Sequence, residues 1–414
     1  MMSRRVVITG LGAVTPLGGD VPTTWQGLLD GRSGAAPITR FDSTPFTVHF
    51  ACEVKGFEPL QYMDRKDAKR LDAYARYAMA ASVQAMRDAG LENGGYDADK
   101  FGVIIGSGIG GIQAFEDQHA QYLQRGPSKI SPFFIPMFIL DMAAGHVSMR
   151  YGLKGPNYAV VSACATSGHA IGDAMRMIQY GDADLMIAGG SEAAVTPMSV
   201  GGFASMQALS TRNESPETAS RPFDATRDGF VIGEGAGSVL LEEREHAMRR
   251  GAAIYGEIVG YGATADAYHM TQPAPEGAGA QRSMRRALED AGARPEDVGY
   301  INAHGTSTPY NDKNESIAIK SVFGAHAYNL NVSSTKSATG HTLGASGGLE
   351  FIFATLAIKH GIIPPTINYH TPDPDCDLNY TPNVPVKRDI DVAISNSFGF
   401  GGHNVTLAVR KHVP

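Results

Sequence analysis

Short apolar runs broken by glycine alternate along this chain with longer stretches of helical period. Val6-Val7-Ile8-Thr9-Gly10-Leu11-Gly12, Phe101 to Ile105, Tyr158 to Val161 and Leu185 to Ala188 lack the polar alternation of a half-solvated sheet, and so read as strands buried on both faces. After Cys164 the apolar positions shift to helical spacing, at Ile171, Met175 and Ile178. Helical stretches ending in Arg87-Asp88-Ala89-Gly90 and Glu289-Asp290-Ala291-Gly292 each lead into a strand, Phe101 to Ile105 and Val298 to Asn302.

The second half repeats the order of the first. Ile258-Val259-Gly260-Tyr261-Gly262-Ala263 echoes Val7 to Ala13, the turn from Ser333 to His341 echoes the Cys164 turn, and Asp391 to Asn396 echoes Asp184 to Gly190. A duplicated β-α-β unit with its strands sandwiched between helices accounts for this, with the join near Arg250 to Tyr255 and halves at 1–252 and 253–414. Loops at the carboxyl ends of such strands would bring Cys164 from the first half to His304 and His341 from the second.

Composition narrows the class. A chain of 414 residues that is 43% hydrophobic can bury a large core, and its 49 glycines, scattered among apolar runs, fit tight turns rather than a flexible linker. A net charge of −7 argues against non-specific nucleic-acid binding. Cys52, Cys164 and Cys376 are too widely spaced for a disulfide framework or a zinc pattern, which makes a reducing cytoplasm the natural location. The apolar stretch Phe133 to Leu140 holds Pro136, and Leu349 to Ile363 carries Glu350 and Lys359, so neither is expected to span a membrane. The N-terminal run before Gly10 is too short for a signal-peptide core.

Three segments carry the candidate chemistry: Val161-Ser162-Ala163-Cys164-Ala165-Thr166-Ser167-Gly168, Asn302-Ala303-His304-Gly305-Thr306-Ser307-Thr308-Pro309, and Lys336-Ser337-Ala338-Thr339-Gly340-His341-Thr342-Leu343-Gly344. Cys164 is expected on a sharp turn at a helix N-terminus, where the dipole and free N–H groups favour the attacking thiolate. His304 and His341 sit among small residues that leave room for a substrate chain. A thiolate with two imidazoles suits acyl transfer.

From Arg5-Val6-Val7-Ile8-Thr9-Gly10-Leu11-Gly12, through these motifs, to Asn396-Ser397-Phe398-Gly399-Phe400-Gly401-Gly402, the chain resembles the elongating β-ketoacyl-[acyl-carrier-protein] synthases, above all synthase II. The resemblance implies a thiolase-like α/β fold of five layers, α-β-α-β-α, built from two duplicated halves. It also implies a decarboxylating Claisen condensation, in which malonyl-[acyl-carrier protein] attacks an acyl chain held as a thioester on Cys164, elongating fatty acids. The implied partners are an acyl-carrier protein and a second copy of the chain, with no nucleic acid or membrane. No organic cofactor and no catalytic metal are implied, while some family members hold a structural monovalent cation.

The same resemblance distributes roles. His304 and His341 donate to the malonyl thioester carbonyl, Lys336 belongs to their network, and Asp312, Glu315 and Glu350 brace it. Backbone N–H groups of Cys164 and Phe400 form the oxyanion hole. Ile109 floors the acyl pocket, Phe134 reaches the partner's pocket, and Phe400 gates the entrance. Thr271, Thr306 and Thr308 bind the pantetheine arm, and Lys66, Lys69, Arg70 and Lys129 receive the acidic carrier. Asp141 stands where asparagine is common in the family, and Gln207 where some members carry a docking arginine.

Other readings are weaker. Gly106-Ser107-Gly108-Ile109-Gly110-Gly111 satisfies G-x-G-x-x-G after a strand, but a polar helix, Gln113 to Gln124, follows where a second strand ending in an acid should be. Gly344-Ala345-Ser346-Gly347-Gly348 satisfies G-x-S-x-G without a preceding strand. A thiolase would need a second cysteine near the C-terminal glycine loop. A polyketide ketosynthase subunit remains an alternative, as does a non-catalytic chain-length partner, although such partners lack the cysteine.

Overall fold

In the computed structural model, which describes residues 4–413, the two halves repeat one sheet topology. The first half uses β1 (Val6–Val14), β2 (Phe101–Gly106), β3 (Asn157–Tyr158), β4 (Leu185–Glu192) and β5 (Gly235–Glu243), ordered β3-β2-β4-β5-β1. The second uses β6 (Gly256–Ala265), β7 (Val298–Asn302), β8 (Asn331–Ser333), β9 (Val392–Gly399) and β10 (His403–Arg410), ordered β8-β7-β9-β10-β6. Each sheet is parallel across its second, third and fourth strands and antiparallel beyond them. The first strands of the halves, β1 and β6, pair antiparallel from Val6 to Ile8, so the two sheets join at one edge.

The repeated glycines have a steric cause. Helix α1 (Ala73–Asp88) lies on β1 so closely that a Cβ at Gly10 or Gly12 would stand 2.2 or 1.8 Å from the carbonyl oxygens of Ala85 and Ala81. Helix α4 (Ala278–Ala291) lies on β6 in the same way, against Gly260 and Gly262. Between the sheets run α3 (Thr166–Tyr180) and α6 (Ser346–His360), and α6 is buried from Ser346 through Ile358 because it has sheet on both sides. Helix α5 (Pro309–Phe323) covers the second sheet with α4. These are the five expected layers.

One expectation needs adjustment. The apolar run before Cys164 is a strand only at Asn157–Tyr158, and residues 159–162 are irregular as they climb to the turn. The stretch Phe133 to Leu140 forms a short helix at Phe134–Phe138 that leaves Phe133 and Ile135 39% and 56% exposed. Among the described residues no helix is long and apolar enough to cross a membrane.

Candidate active site

Cys164 sits on an elbow. Ala163 takes a left-handed backbone, φ 51°, and the short turn Ala163–Ala165 runs directly into α3. An L-residue in that region carries strain, and such strain concentrates where a side chain must be presented at a fixed angle. Cys164 Sγ lies 3.0 Å from His341 Nε2, and the rings of His304 and His341 meet edge-on with centroids 5.4 Å apart. All three are buried at the base of a cavity of about 410 Å³, whose walls include Ile109, Phe230, Leu343 and Phe398.

The proton on His341 can be assigned from its neighbours. The Leu343 N–H donates to His341 Nδ1 at 3.3 Å, and Ser346 Oγ lies 3.0 Å from the same nitrogen. A backbone N–H can only donate, so Nδ1 accepts and the imidazole proton belongs on Nε2, facing the sulfur. Burial, and then the Lys336 ammonium, hold the pKa of both histidines well below the usual range; His341 also lowers that of His304. Both are therefore neutral imidazoles, able to donate at neutral pH.

The cysteine departs from the thiolate expected at a helix N-terminus. Burial pushes the Cys164 thiol up to about 12, while Lys336 and the N–H groups of Phe400 and Cys164 pull it down. In the unliganded site it is a thiol. Cys164, His304 and His341 also offer ligand atoms all within 4.8 Å of one another, a set that suits a soft metal by composition. A proton on Nε2 and the buried ammonium beside it favour hydrogen-bond donation over metal ligation.

Three of the acidic residues named from sequence lie in this network. Glu315 on α5 accepts from the backbone N–H groups of His304 (2.9 Å) and Gly305 (2.8 Å), which fixes the loop carrying His304, and burial pushes its carboxyl up to about 7. Glu350 on α6 pairs with Lys336 in the interior, where burial raises its pKa and Lys336 opposes the rise. Asp312 is one step removed, accepting from the Phe223 N–H at 2.8 Å and facing Arg227 at 3.6 Å. Glu350 alone pairs with the Lys336 ammonium, Glu315 lies near enough to help raise the Glu350 pKa, and Glu350 Oε2 and Ser395 Oγ are buried without a hydrogen-bond partner among the described residues. That oxygen-rich, negative surrounding fits a monovalent cation.

A fourth acid escaped the sequence reading. Glu192, fully buried at the end of β4, accepts from Ser107 Oγ (2.7 Å), Gly108 N–H (2.8 Å), Ile109 N–H (3.1 Å) and Gly344 N–H (2.9 Å). The glycine-rich turn that mimics a dinucleotide fingerprint is thus already filled by the protein's own carboxylate. Its only sequence signal is an acid closing an apolar strand, and its partners come from two distant segments.

The remaining candidates divide by place. Thr271, Thr306, Thr308, Ile109 and Phe400 line the cavity, and the Thr306 and Thr308 hydroxyls are 2.9 Å apart. Phe134 does not line its own chain's cavity; it stacks on Phe138, with Phe115 nearby. Lys66, Lys69 and Lys129 are exposed, and Arg70 places its guanidinium 4.3 Å from the centre of the Phe133 ring. Gln207 lines the cavity with φ 55°, and Asp141 precedes helix α2 (Met142–Tyr151) without capping it through its side chain. Cys52, packed on Gly340 beside His341, and Cys376 do not line the cavity, and their thiols are raised by desolvation.

Comparison with known proteins agrees with this geometry. The model of the beta-ketoacyl synthase N-terminal domain matches residues 3–247, and that of the C-terminal domain matches residues 255–370. The chain is 56% identical over 409 residues to a 3-oxoacyl-[acyl-carrier-protein] synthase 2 of Synechocystis, covering 99% of this chain and 98% of the relative. A protein of the same name from Staphylococcus aureus is 54% identical, covering 99% of both chains. Among solved structures, a beta-ketoacyl synthase from Burkholderia phymatum superposes with a TM-score of 0.93 at 37% identity, covering 99% of this chain and all of the other. A type II polyketide ketosynthase, solved with its acyl-carrier protein, gives 0.92 at 38% identity with full coverage of both. The chain belongs to the β-ketoacyl synthase family of condensing enzymes, in its synthase II branch.

Proposed function

We propose that this enzyme elongates fatty acyl chains in two stages on one cysteine. In the first, the Cys164 sulfur attacks the acyl thioester of an acyl-carrier protein. The bond from acyl carbon to pantetheine sulfur breaks, the bond to Cys164 forms, and the thiol proton ends on the departing pantetheine sulfur. The N–H groups of Cys164 and Phe400, which already act on the sulfur, are positioned to hold the oxyanion of that step.

In the second stage a malonyl thioester replaces the first carrier. His304 and His341 donate to its carbonyl, carbon dioxide leaves, and the resulting enolate carbon attacks the acyl-Cys164 carbonyl. The condensation releases the cysteine thiolate, which regains a proton. Burial and then Lys336 keep both histidines neutral, Glu315 fixes the His304 loop, and Thr271, Thr306 and Thr308 receive the pantetheine arm. The observation that carries this reading is the neutral imidazole whose Nε2, the nitrogen bearing its proton, lies 3.0 Å from the sulfur, since it supplies a donor where the malonyl carbonyl must lie.

The partner is an acyl-carrier protein, which Lys66, Lys69, Arg70 and Lys129 attract by charge. Ile109 floors the acyl pocket and Phe400 closes it before loading. Two chains form a symmetric dimer through the exposed apolar face around Phe133 and Ile135, which brings Phe134 to the partner's pocket, and the catalytic halves divide at 252/253. Sequence identity favours fatty-acid over polyketide elongation, 56% to the first relative against 38% to the polyketide ketosynthase. Incubation with acyl-carrier and malonyl-carrier thioesters is expected to give acyl-Cys164 and then a β-ketoacyl product by mass spectrometry. Absence of both overturns the reading.

A further inference from the structure

Buried carboxylates normally find a cation or water, yet Glu192 is fully buried and pairs with no cation among the described residues. Three backbone N–H groups and one hydroxyl fill it instead, from two loops that touch. A Cβ at Gly344 would stand 2.4 Å from the Gly108 nitrogen and 2.8 Å from Glu192 Oε2, so the loops can meet only with glycine there.

The Gly344 N–H held by Glu192 belongs to the residue after Leu343, which has a left-handed backbone, φ 47°. That conformation is strained for a non-glycine residue, so it persists only where surrounding bonds impose it. The Leu343 N–H, in turn, is the donor on His341 Nδ1 that leaves the imidazole proton on Nε2.

We propose that Glu192 is a positioning residue for malonyl decarboxylation: by holding Gly344 it locks the strained Leu343 turn, and so fixes the proton of His341 on the nitrogen that faces the substrate. This rests on the reading of His341 as the donor to the malonyl carbonyl. Because the same carboxylate also holds the Ile109 N–H, the floor of the acyl pocket and the orientation of His341 share one anchor.

Glu192→Gln tests this nearly isosterically. Whichever way the amide is turned, its NH₂ faces at least one backbone N–H that the carboxylate accepted. The expected result is a loss of malonyl decarboxylation of about tenfold or more, as for a small misplacement of a catalytic group. Loading of Cys164 with a short acyl chain should change by less than about threefold, since it requires neither the Ile109 floor nor the Nε2 proton. In a His341→Ala background the same substitution should cost nothing further, because its effect passes through that ring. Imidazole ¹⁵N spectra should show the Nε2–H tautomer at His341 in the wild type and a mixture in Glu192→Gln.

An equal loss in both backgrounds, or no loss in either, would overturn the proposal. If Glu192→Gln does not fold, Glu192→Asp carries the same cycle with a smaller expected loss. Wild-type decarboxylation by His341→Ala would instead sink the reading of His341 itself, a separate outcome.

Discussion

The two halves of the molecule build the same elbow and use it in opposite ways. In the first, Ala163 at φ 51° opens the turn Ala163–Ala165, and a helix of 15 residues follows, closed by left-handed Gly181. In the second, Leu343 at φ 47° opens the turn Leu343–Ala345, and again a helix of 15 residues follows, closed by left-handed Gly361. Cys164 and Gly344 are therefore twins. Each elbow faces the last residue of the other half's fourth strand: Gly399 lies against the Cys164 nitrogen, and Glu192 accepts from the Gly344 nitrogen. In the function proposed above, the elbow that faces a glycine leaves its N–H for a substrate oxyanion, and the elbow that faces a carboxylate spends its N–H on fixing a histidine. On that proposal a duplicated scaffold gains one site for the nucleophile and one for proton donors, by the choice of a single residue at each strand end.

The largest expected effect comes from making the first elbow resemble the second. A Cβ at Gly399 would stand 2.7 Å from the Ser162 carbonyl oxygen and 3.1 Å from the Cys164 nitrogen, so Gly399→Ala must displace the elbow. Acyl loading, followed by the mass of the protein, is expected to fall about 100-fold, as when one oxyanion donor is lost. Loading within twofold of wild type would mean that the Cys164 N–H is not a donor in that step.

A smaller effect separates the loops that Glu192 joins. Ile109→Phe crowds the pocket floor at a cost of about 1–3 kcal/mol to a long chain, which corresponds to about fivefold or more in its loading rate. Short chains should load as in wild type, and intact long-chain loading would remove Ile109 from the pocket.

The resting thiol gives a pH test. Alkylation by iodoacetamide requires the thiolate, and with the Cys164 thiol raised to about 12 by burial the thiolate fraction grows tenfold per pH unit below that value. The rate on unliganded enzyme should rise through about pH 9 without a plateau. A plateau near neutrality would mean that the helix N-terminus outweighs burial after all.

Carrier docking carries the smallest effect. Charge reversal at Lys66 and Lys69 is expected to raise KM for carrier-bound substrate about three- to tenfold at low salt, with kcat little changed and the difference shrinking as salt is added. An unchanged KM at low salt would leave those lysines as solvated surface.

Much of this site was legible before any fold. Cys164, His304, His341 and Lys336 stand in motifs that set a reactive side chain among small neighbours, and the glycine-broken runs of β1 and β6 announce the duplication. The twin of the Cys164 elbow was expected at Ser333 to His341 but lies just beyond it. The residue that bends there, Leu343, has none of glycine's tolerance for a positive φ, so sequence offers no marker. The thiolate was expected from a local dipole, whereas depth of burial, a property of the whole fold, decides the protonation state. Glu192 was missed for a similar reason: its meaning lies in partners at Ser107, Gly108, Ile109 and Gly344, which only the meeting of two sheets brings together.

The division of labour between the elbows is tested most directly by measuring both half-reactions on two variants, acyl transfer to the enzyme and carbon dioxide release from malonyl thioester. Cys164→Ala is expected to lose acyl loading entirely while still decarboxylating, and His341→Ala to load the acyl group while losing most decarboxylation. Loss of both activities together in each variant, or wild-type decarboxylation by His341→Ala, would contradict it.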